Sequence, residues 1–552
     1  MAPCCTPRSC PAPHHAYPLH HIFLHRPFPD TLRLRHQRLR PPHSTRQLPA
    51  ALSTLLSFSI EQDRWPDWTG TDQRNQFTFA ALQNFAQLTG TPPKIRVGAN
   101  SEDHNPCGPQ PSRSSPTRSP RQLDHPYPEA TSITVGDAYY SLSRFLPSGT
   151  HMVWGVNLGL DNVTNAVNMA KAIVGAFASA AVRASGVVLD RIEVGNEADL
   201  YKDNGLRPSN WTVSEYVADW ISVAGPVAEA AGISGRNGPV TLQGAALRGR
   251  DSRHVRSSHW VYWTASLARP YQPLRFQVAK LNTRSLRSIS QHQYSAAFCN
   301  GGDFPLVSFM SKTAVRGNLT IFEADIAASN AQGLPYILGE TNSIACHGAP
   351  GVSNTAGAAL WAIDYTLQAA TLGMQEAFFH EGIGYKYNFI QPVTLNISTI
   401  DGSPLDPPSP PHIQPPYYAG LLIDTFVGRT GSAQLVELSV NDSNTSGYAA
   451  FEDGRLVRAA FVNLNAWLQS STGDRPVVHI DLAFAGEGRQ VTAAQAARLV
   501  IQHADDVANL TFAGQSYETP DVQPKGAVVE ENITLADGLD LRATEAVLVR
   551  FY

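Results

Sequence analysis

The chain is poor in charge and in sulfur, and it lacks long apolar runs. Charged residues are 16% of the 552 and the net charge is -4, so no polyanionic partner such as nucleic acid and no anionic membrane surface is implied. No stretch of eighteen consecutive apolar residues occurs, so no helical membrane span is expected. Proline and histidine interrupt any apolar core near the start, and no signal peptide is recognisable there. No glycine-rich phosphate loop follows the first strand, which argues against a doubly wound dinucleotide-binding sheet. There are six cysteines, of which Cys4, Cys5, Cys10 and Cys107 lie in unpatterned sequence. The spacing of Cys4, Cys5, Cys10, His14 and His15 fits no common zinc ligand set. Only Cys299 and Cys346 lie in well-patterned sequence: a disulfide in an oxidising compartment, two buried thiols otherwise.

What is present divides the chain into three. Residues 1–50 hold seven arginines, seven histidines and one acid, without periodicity; they read as disordered, or as foreign to the fold. From 51 to 415 short apolar strands alternate with helices, at 57–61, 94–98, 150–158, 187–194, 239–244, 288–293, 335–340 and 375–380. Helices are expected over 77–88, 165–184, 212–231, 323–331 and 355–372. Thr212 and Glu215 have capping-box spacing, and Pro226 predicts a kink or break. Eight such units predict an α/β fold, a (β/α)8 TIM barrel. Residues 416–552 follow a proline-rich run and offer short alternating segments between turns, an all-β sandwich domain. Residues 106–128 and 248–287 break the barrel pattern as irregular insertions; with 1–50 they hold nineteen of the 42 Lys and Arg.

Two strands end in the same grammar. Arg191 to Val194 runs into Gly195-Asn196-Glu197, and Tyr336 to Leu338 runs into Gly339-Glu340. Residues at the C-terminal ends of barrel strands face one cavity, and two carboxylates there are what glycoside hydrolysis requires. Asn196 beside Glu197 suits a hydroxyl next to the reacting carbon. Glu61, His292, Tyr294 and His380 fall at strand ends as well.

These motifs resemble those of glycoside hydrolase family 79, the fungal and bacterial β-glucuronidases related to heparanase. The resemblance rests on Phe58-Ser59-Ile60-Glu61, on Thr91 to Asn100, on the Glu197 and Glu340 strands, on Ser290 to Tyr294 and on Phe379 to Tyr387. Leu464 to Leu468 and Phe512 to Thr519 extend it into the C-terminal domain. It implies that Glu197 is the acid/base and Glu340 the nucleophile of a retaining enzyme that releases terminal β-D-glucuronosyl residues. It implies further that Tyr385 with the Gly384 backbone holds the uronate carboxylate. His292 and Tyr294 would line the pocket, and Glu61, Asn100 and Asp103 would meet sugar hydroxyls. No metal and no organic cofactor is expected. Ala99 stands where the family often has a second glycine.

Eight Asn-x-Ser/Thr sequons point to a secreted glycoprotein. Two other functions stay open: an endo-acting, heparanase-like hydrolase of acidic polysaccharide, and a catalytically impaired carbohydrate-binding relative.

Overall fold

The computed structural model describes residues 50–104, 117–118, 126–248, 285–299, 301–440, 442–482, 484 and 491–552. The expectations for 1–49 and for most of 106–128 and 248–287 lie outside them, as do Cys4, Cys5, Cys10 and Cys107.

Eight parallel strands close into a barrel. They are β1 (Leu56–Glu61), β2 (Ile95–Gly98), β3 (His151–Val156), β4 (Val188–Val194), β5 (Thr241–Arg248), β6 (Leu286–Ala297), β7 (Tyr336–Ala345) and β8 (Met374–Glu381). Sequence order is also spatial order, and β8 pairs with β1 through Phe379–Phe58 and Glu381–Ile60. All eight expected strands are present, in the expected fold class.

The helices follow from local chemistry. α1 (Gln76–Thr89) is capped by Asn75, which accepts from the Thr78 N–H, and it stops at Gly90 with φ 80°. α2 (Val163–Ala178) ends earlier than its apolar pattern, because the Ser179 side chain caps a separate short helix, Ala180–Ser185. α3 (Val213–Ala230) carries the full Thr212–Glu215 capping box. Pro226 does not break α3; the helical assignment runs through it. α4 (Lys312–Thr320) and α5 (Glu323–Ala331) lead to β7. α6 (Ala356–Leu372) is buried on nearly every side, since it lies between the barrel and the C-terminal domain: Arg316 of α4 and Tyr448 of that domain both bind Asp364. Among the described residues no helix is long and apolar enough to cross a membrane.

After the barrel, α7 (Pro416–Val427) packs back onto it, with the Tyr417 ring 4.8 Å from Phe85 of α1. The C-terminal domain is an antiparallel sheet built around Ala433–Leu438, Thr445–Glu452, Arg455–Asn463, Glu545–Phe551 and Ala494–Val500. Its edge is completed by Ala50–Ala51, which pairs with Ala433–Leu438. A two-stranded sheet, Val477–Ile480 with Leu539–Arg542, covers one face around Phe461, Ile480, Leu541 and Val547.

The barrel interior departs from the usual layers of branched apolar side chains. Arg191 and Glu193 alternate with Leu189, Ile192 and Val194 on β4, and their charges join an internal network. Gln243 of β5 connects them: it accepts from Arg191 at 3.0 Å and donates to Glu193. A hydrogen-bonded column therefore runs from Glu376 near one end of the barrel to Glu340 at the other.

Candidate active site

Each of the two strand-end carboxylates follows a glycine in a crowded place. At the end of β4 the chain turns at Gly195, with φ 78°; a Cβ there would stand 2.7 Å from Leu158 and 3.0 Å from the Tyr201 hydroxyl. Glu197 follows in the left-handed region, φ 45° and ψ 48°, and its N–H bonds Ala246 O at 2.8 Å. That conformation costs on the order of 1 kcal/mol or more for a residue with a side chain. On β7 a register shift against β6 falls between Leu338 and Glu340. A Cβ on Gly339 would lie 1.9 Å from Ser290 Oγ, so close approach requires the glycine.

The two carboxylates meet across His292. One oxygen each of Glu197 and Glu340 and a ring nitrogen of His292 lie within 4.8 Å of one another. His292 Nδ1 is 3.2 Å from Glu197 Oε1 and 3.9 Å from Glu340 Oε2. Nδ1 is thus the ring nitrogen that faces both carboxylates. These three donor atoms could chelate a divalent cation, but Glu340 already has its countercharge in Arg96.

Glu340 is held ionised. Burial opposes its charge, but His380, His292 and Arg96, with a hydrogen bond from Tyr294, hold its pKa down at about 2. Tyr294 donates to Oε1 at 2.8 Å and Arg96 Nη1 to Oε2 at 2.9 Å. His380 Nδ1 stands 3.8 Å away; burial disfavours its cation, but Glu340 and Glu61 raise its pKa. Glu197 is the more exposed of the pair, its side chain 13% accessible against 8% for Glu340.

Arg96 of β2, fully buried, organises the floor. Besides Glu340 it donates to Glu193 at 2.6 Å, to Ser59 at 2.8 Å and to Asn196 Oδ1 at 2.8 Å. The last bond fixes the amide so that Asn196 turns its NH2 toward Asn100 Oδ1, 3.5 Å away. A charged residue in the apolar run Ile95-Arg96-Val97 was the signal that could have found it.

Several expected sugar contacts are engaged elsewhere. The Asp103 carboxylate accepts from the N–H groups of Leu158, Gly159 and Asn196 and from the Tyr201 hydroxyl, so it shapes the Asn196 loop from below. Burial raises its pKa against those four donors. Glu61, 1% exposed, accepts from the Ser101 N–H and hydroxyl and lies 3.5 Å from His380 Nε2, beneath the pocket. The Gly384 N–H donates to the Gln391 side chain at 2.9 Å, and the Tyr127 ring lies over its α-carbon, so this N–H does not face a ligand. Glu381 accepts from the Phe389 and Ile390 N–H groups and is structural. Ala99 adopts φ 75°, which explains why a glycine would suit that position.

Tyr385 stacks face to face on His347, with ring centroids 3.8 Å apart, and its hydroxyl donates to Glu129 at 3.3 Å. Glu129 also accepts from Asn100 at 3.3 Å. Neither Glu129 nor His347 stood in any motif; Glu129 follows an unpatterned stretch and gave no signal. With Tyr387 beside Tyr294 and Tyr385, these contacts form a ring: Glu197, Asn196, Asn100, Glu129, Tyr385, Tyr387, Tyr294, Glu340, His292. Cys299 and Cys346 are joined by a disulfide that ties the ends of β6 and β7 together. The floor, the paired carboxylates and the ring thus enclose one polar site at the C-terminal ends of the barrel strands.

Comparison with known proteins points to a glycosidase. Residues 447–548 match the family described as glycosyl hydrolase family 79 C-terminal beta domain. A β-glucuronidase of Aspergillus niger is 27% identical over 507 residues, covering 89% of this chain and 87% of the relative. A β-glucuronidase of Neurospora crassa is 27% identical over 513 residues, covering 84% of each. A 4-O-α-L-rhamnosyl-β-D-glucuronidase from Fusarium oxysporum shares the fold, with TM-score 0.70 and 22% identity over 93% of this chain and all of that one.

Proposed function

We propose that this chain, a glycosidase that resembles family 79 and carries that family's C-terminal β domain, removes terminal β-D-glucuronosyl residues with retention of configuration. The observation that carries the reading is the approach of Glu197 and Glu340, oxygen to oxygen within 4.8 Å. Retaining enzymes hold their carboxyl groups about 5–5.5 Å apart, and inverting ones about 6.5–9.5 Å apart to admit a water. In the first step Glu340, ionised, attacks the anomeric carbon while Glu197 gives its proton to the departing glycosidic oxygen. In the second, Glu197 takes a proton from water, the water oxygen bonds the anomeric carbon, and Glu340 leaves as a carboxylate. Asn196 offers its amide N–H to the 2-hydroxyl, a bond that strengthens as positive charge grows on the ring. On binding, Tyr385 turns its one hydroxyl proton from Glu129 to the uronate, a donor that favours the anion without a buried cation.

The ring through Asn100 and Glu129 supports action at a chain end rather than within a chain. The exposed sequon residues Asn210, Asn396, Asn509 and Asn532 support an extracellular location, whereas the Asn318 and Asn444 amides bond inward to Ser295 and Met310. An aryl β-D-glucuronide assayed beside heparan fragments tests the substrate, and NMR of the first-formed anomer tests the stereochemistry. An α-anomer appearing first would overturn retention; cleavage of the fragments alone would replace exo action with endo.

A further inference from the structure

Glu129 has no part in the two-carboxylate reaction, yet it stands in the ring around the sugar pocket. Its Oε1 lies 3.1 Å from His347 Nε2 and accepts from Tyr385 at 3.3 Å, and its Oε2 accepts from Asn100 at 3.3 Å. The stack of His347 on Tyr385, 12° from parallel, holds both of those donors in place. The Glu129 side chain is 28% accessible, so it is fixed but not sealed. Burial opposes its charge, and His347, Asn100 and His380 nonetheless hold its pKa down at about 2. It is thus an acceptor and never a donor at any working pH.

This constrains what can lie beside it. A uronate that takes the Tyr385 proton leaves Glu129 one donor short, with only His347 and Asn100 on it, and stands beside it as a second anion. The sugar must then turn a donor, not a lone pair or a methyl group, toward Glu129. On a glucuronosyl ring the group neighbouring the carboxylate-bearing carbon is the 4-hydroxyl.

We propose that Glu129 accepts a hydrogen bond from a free 4-hydroxyl and so restricts the enzyme to glucuronosyl residues unsubstituted at that position. The inference rests on the glucuronide reading above and names its substrate class more narrowly. A 4-O-methyl or 4-O-glycosyl group removes the donor and leaves a partly desolvated anion with only His347 and Asn100 on it. Sites built to bond a hydroxyl reject analogues that lack it strongly, and partial exposure reduces the effect to about 10²-fold here.

The test is kcat/KM of the full-length protein for an aryl β-D-glucuronide and its 4-O-methyl derivative, in wild type, Glu129→Ala and the isosteric Glu129→Gln. Wild type is expected to favour the unsubstituted sugar by about 10²-fold or more, and both variants to bring the ratio below about 10 by losing mainly on that sugar. Calorimetry of glucuronic acid and 4-O-methylglucuronic acid on Glu340→Gln should give the same order of affinity without turnover. Equal handling of both sugars by wild type, or equal losses on both in the variants, overturns the inference and leaves the glucuronide reading intact. Failure of both sugars to bind or react overturns both.

Discussion

An arginine lies inside the barrel toward each end, and the two keep different company. Arg96, of β2, bonds Glu193, Ser59, Asn196 and Glu340, the last of which opens on the pocket. Arg191, of β4, bonds Glu376 twice, at 2.8 and 3.1 Å, and is 3.3 Å from Asp190; Lys94 closes the cluster with contacts of 2.7 Å to Glu376 and 2.9 Å to Asp190. Both clusters bury charge, and both must be nearly complete to repay desolvation. The difference is what is left open. In the Arg191 cluster every carboxylate has a cation on it, and nothing is presented to a ligand. In the Arg96 cluster His380, His292 and the guanidinium together hold Glu340 ionised, the guanidinium orients Asn196, and Glu340 and Asn196 face the pocket. One network is a plug; the other is the floor of a site.

The strongest way to separate them is at Glu340, the nucleophile proposed above. Glu340→Gln should lower kcat on the order of 10⁴-fold or more while the melting temperature stays close to wild type, measured by steady-state kinetics and calorimetry. A variant with near-normal turnover would remove Glu340 from the mechanism.

Arg96→Met should damage both properties. It leaves Glu193 and Glu340 buried without their cation and frees the Asn196 amide, so kcat/KM should fall about 10²–10³-fold. Denaturant unfolding should show a loss of about 3–5 kcal/mol. An unimpaired Arg96→Met would mean that the floor contributes nothing to the chemistry.

Glu376→Gln is the matching change in the plug. It strands Arg191 and Lys94 in part, so about 3 kcal/mol of stability should be lost with kcat/KM within about twofold of wild type. A large kinetic defect would instead mean that the column through Gln243 transmits strain to the site.

The smallest expected effect lies in pH. Glu376 has its pKa lowered: burial opposes the charge, but Arg191 and Lys94 outweigh it. Its stabilising contribution is therefore present above the ordinary carboxylate value of 4.5 and is lost as pH falls through its folded value. Glu340 behaves alike, its contribution fading from 4.5 down through about 2. His380 has the opposite sign. Its raised pKa contributes stability that is full below its ordinary 6.5 and lost as pH rises through the folded value. The site end should thus weaken on both flanks and the plug on the acid flank alone. His380→Gln should flatten the alkaline part of the stability profile, and Glu376→Gln should leave it unchanged.

Much of this was legible in the chain. Period and alternation gave the eight strands, and the repeated glycine–glutamate ending pointed to Glu197 and Glu340 because strand termini in a closed barrel converge. The cap at Thr212 and the family motifs are equally local. What the chain did not disclose shares one cause. Asp103, Glu61 and the Gly384 N–H were expected to meet sugar, but each had nearer partners that only folding supplies: the Asn196 loop, Ser101 and Gln391. Arg191 and Glu193 lay in a strand read simply as buried, and their inward column could not be inferred without the facing strands.

By itself the sequence determined the barrel, the β domain and the pair of strand-end carboxylates proposed here to do the chemistry, since these depend on periodicity and on residue type at strand ends. Tertiary structure alone decided which polar groups are open to a ligand. A carboxylate or N–H is available only after its hydrogen bonds across the barrel have been made, and those partners lie as much as 321 residues away, as Ser59 and His380 do.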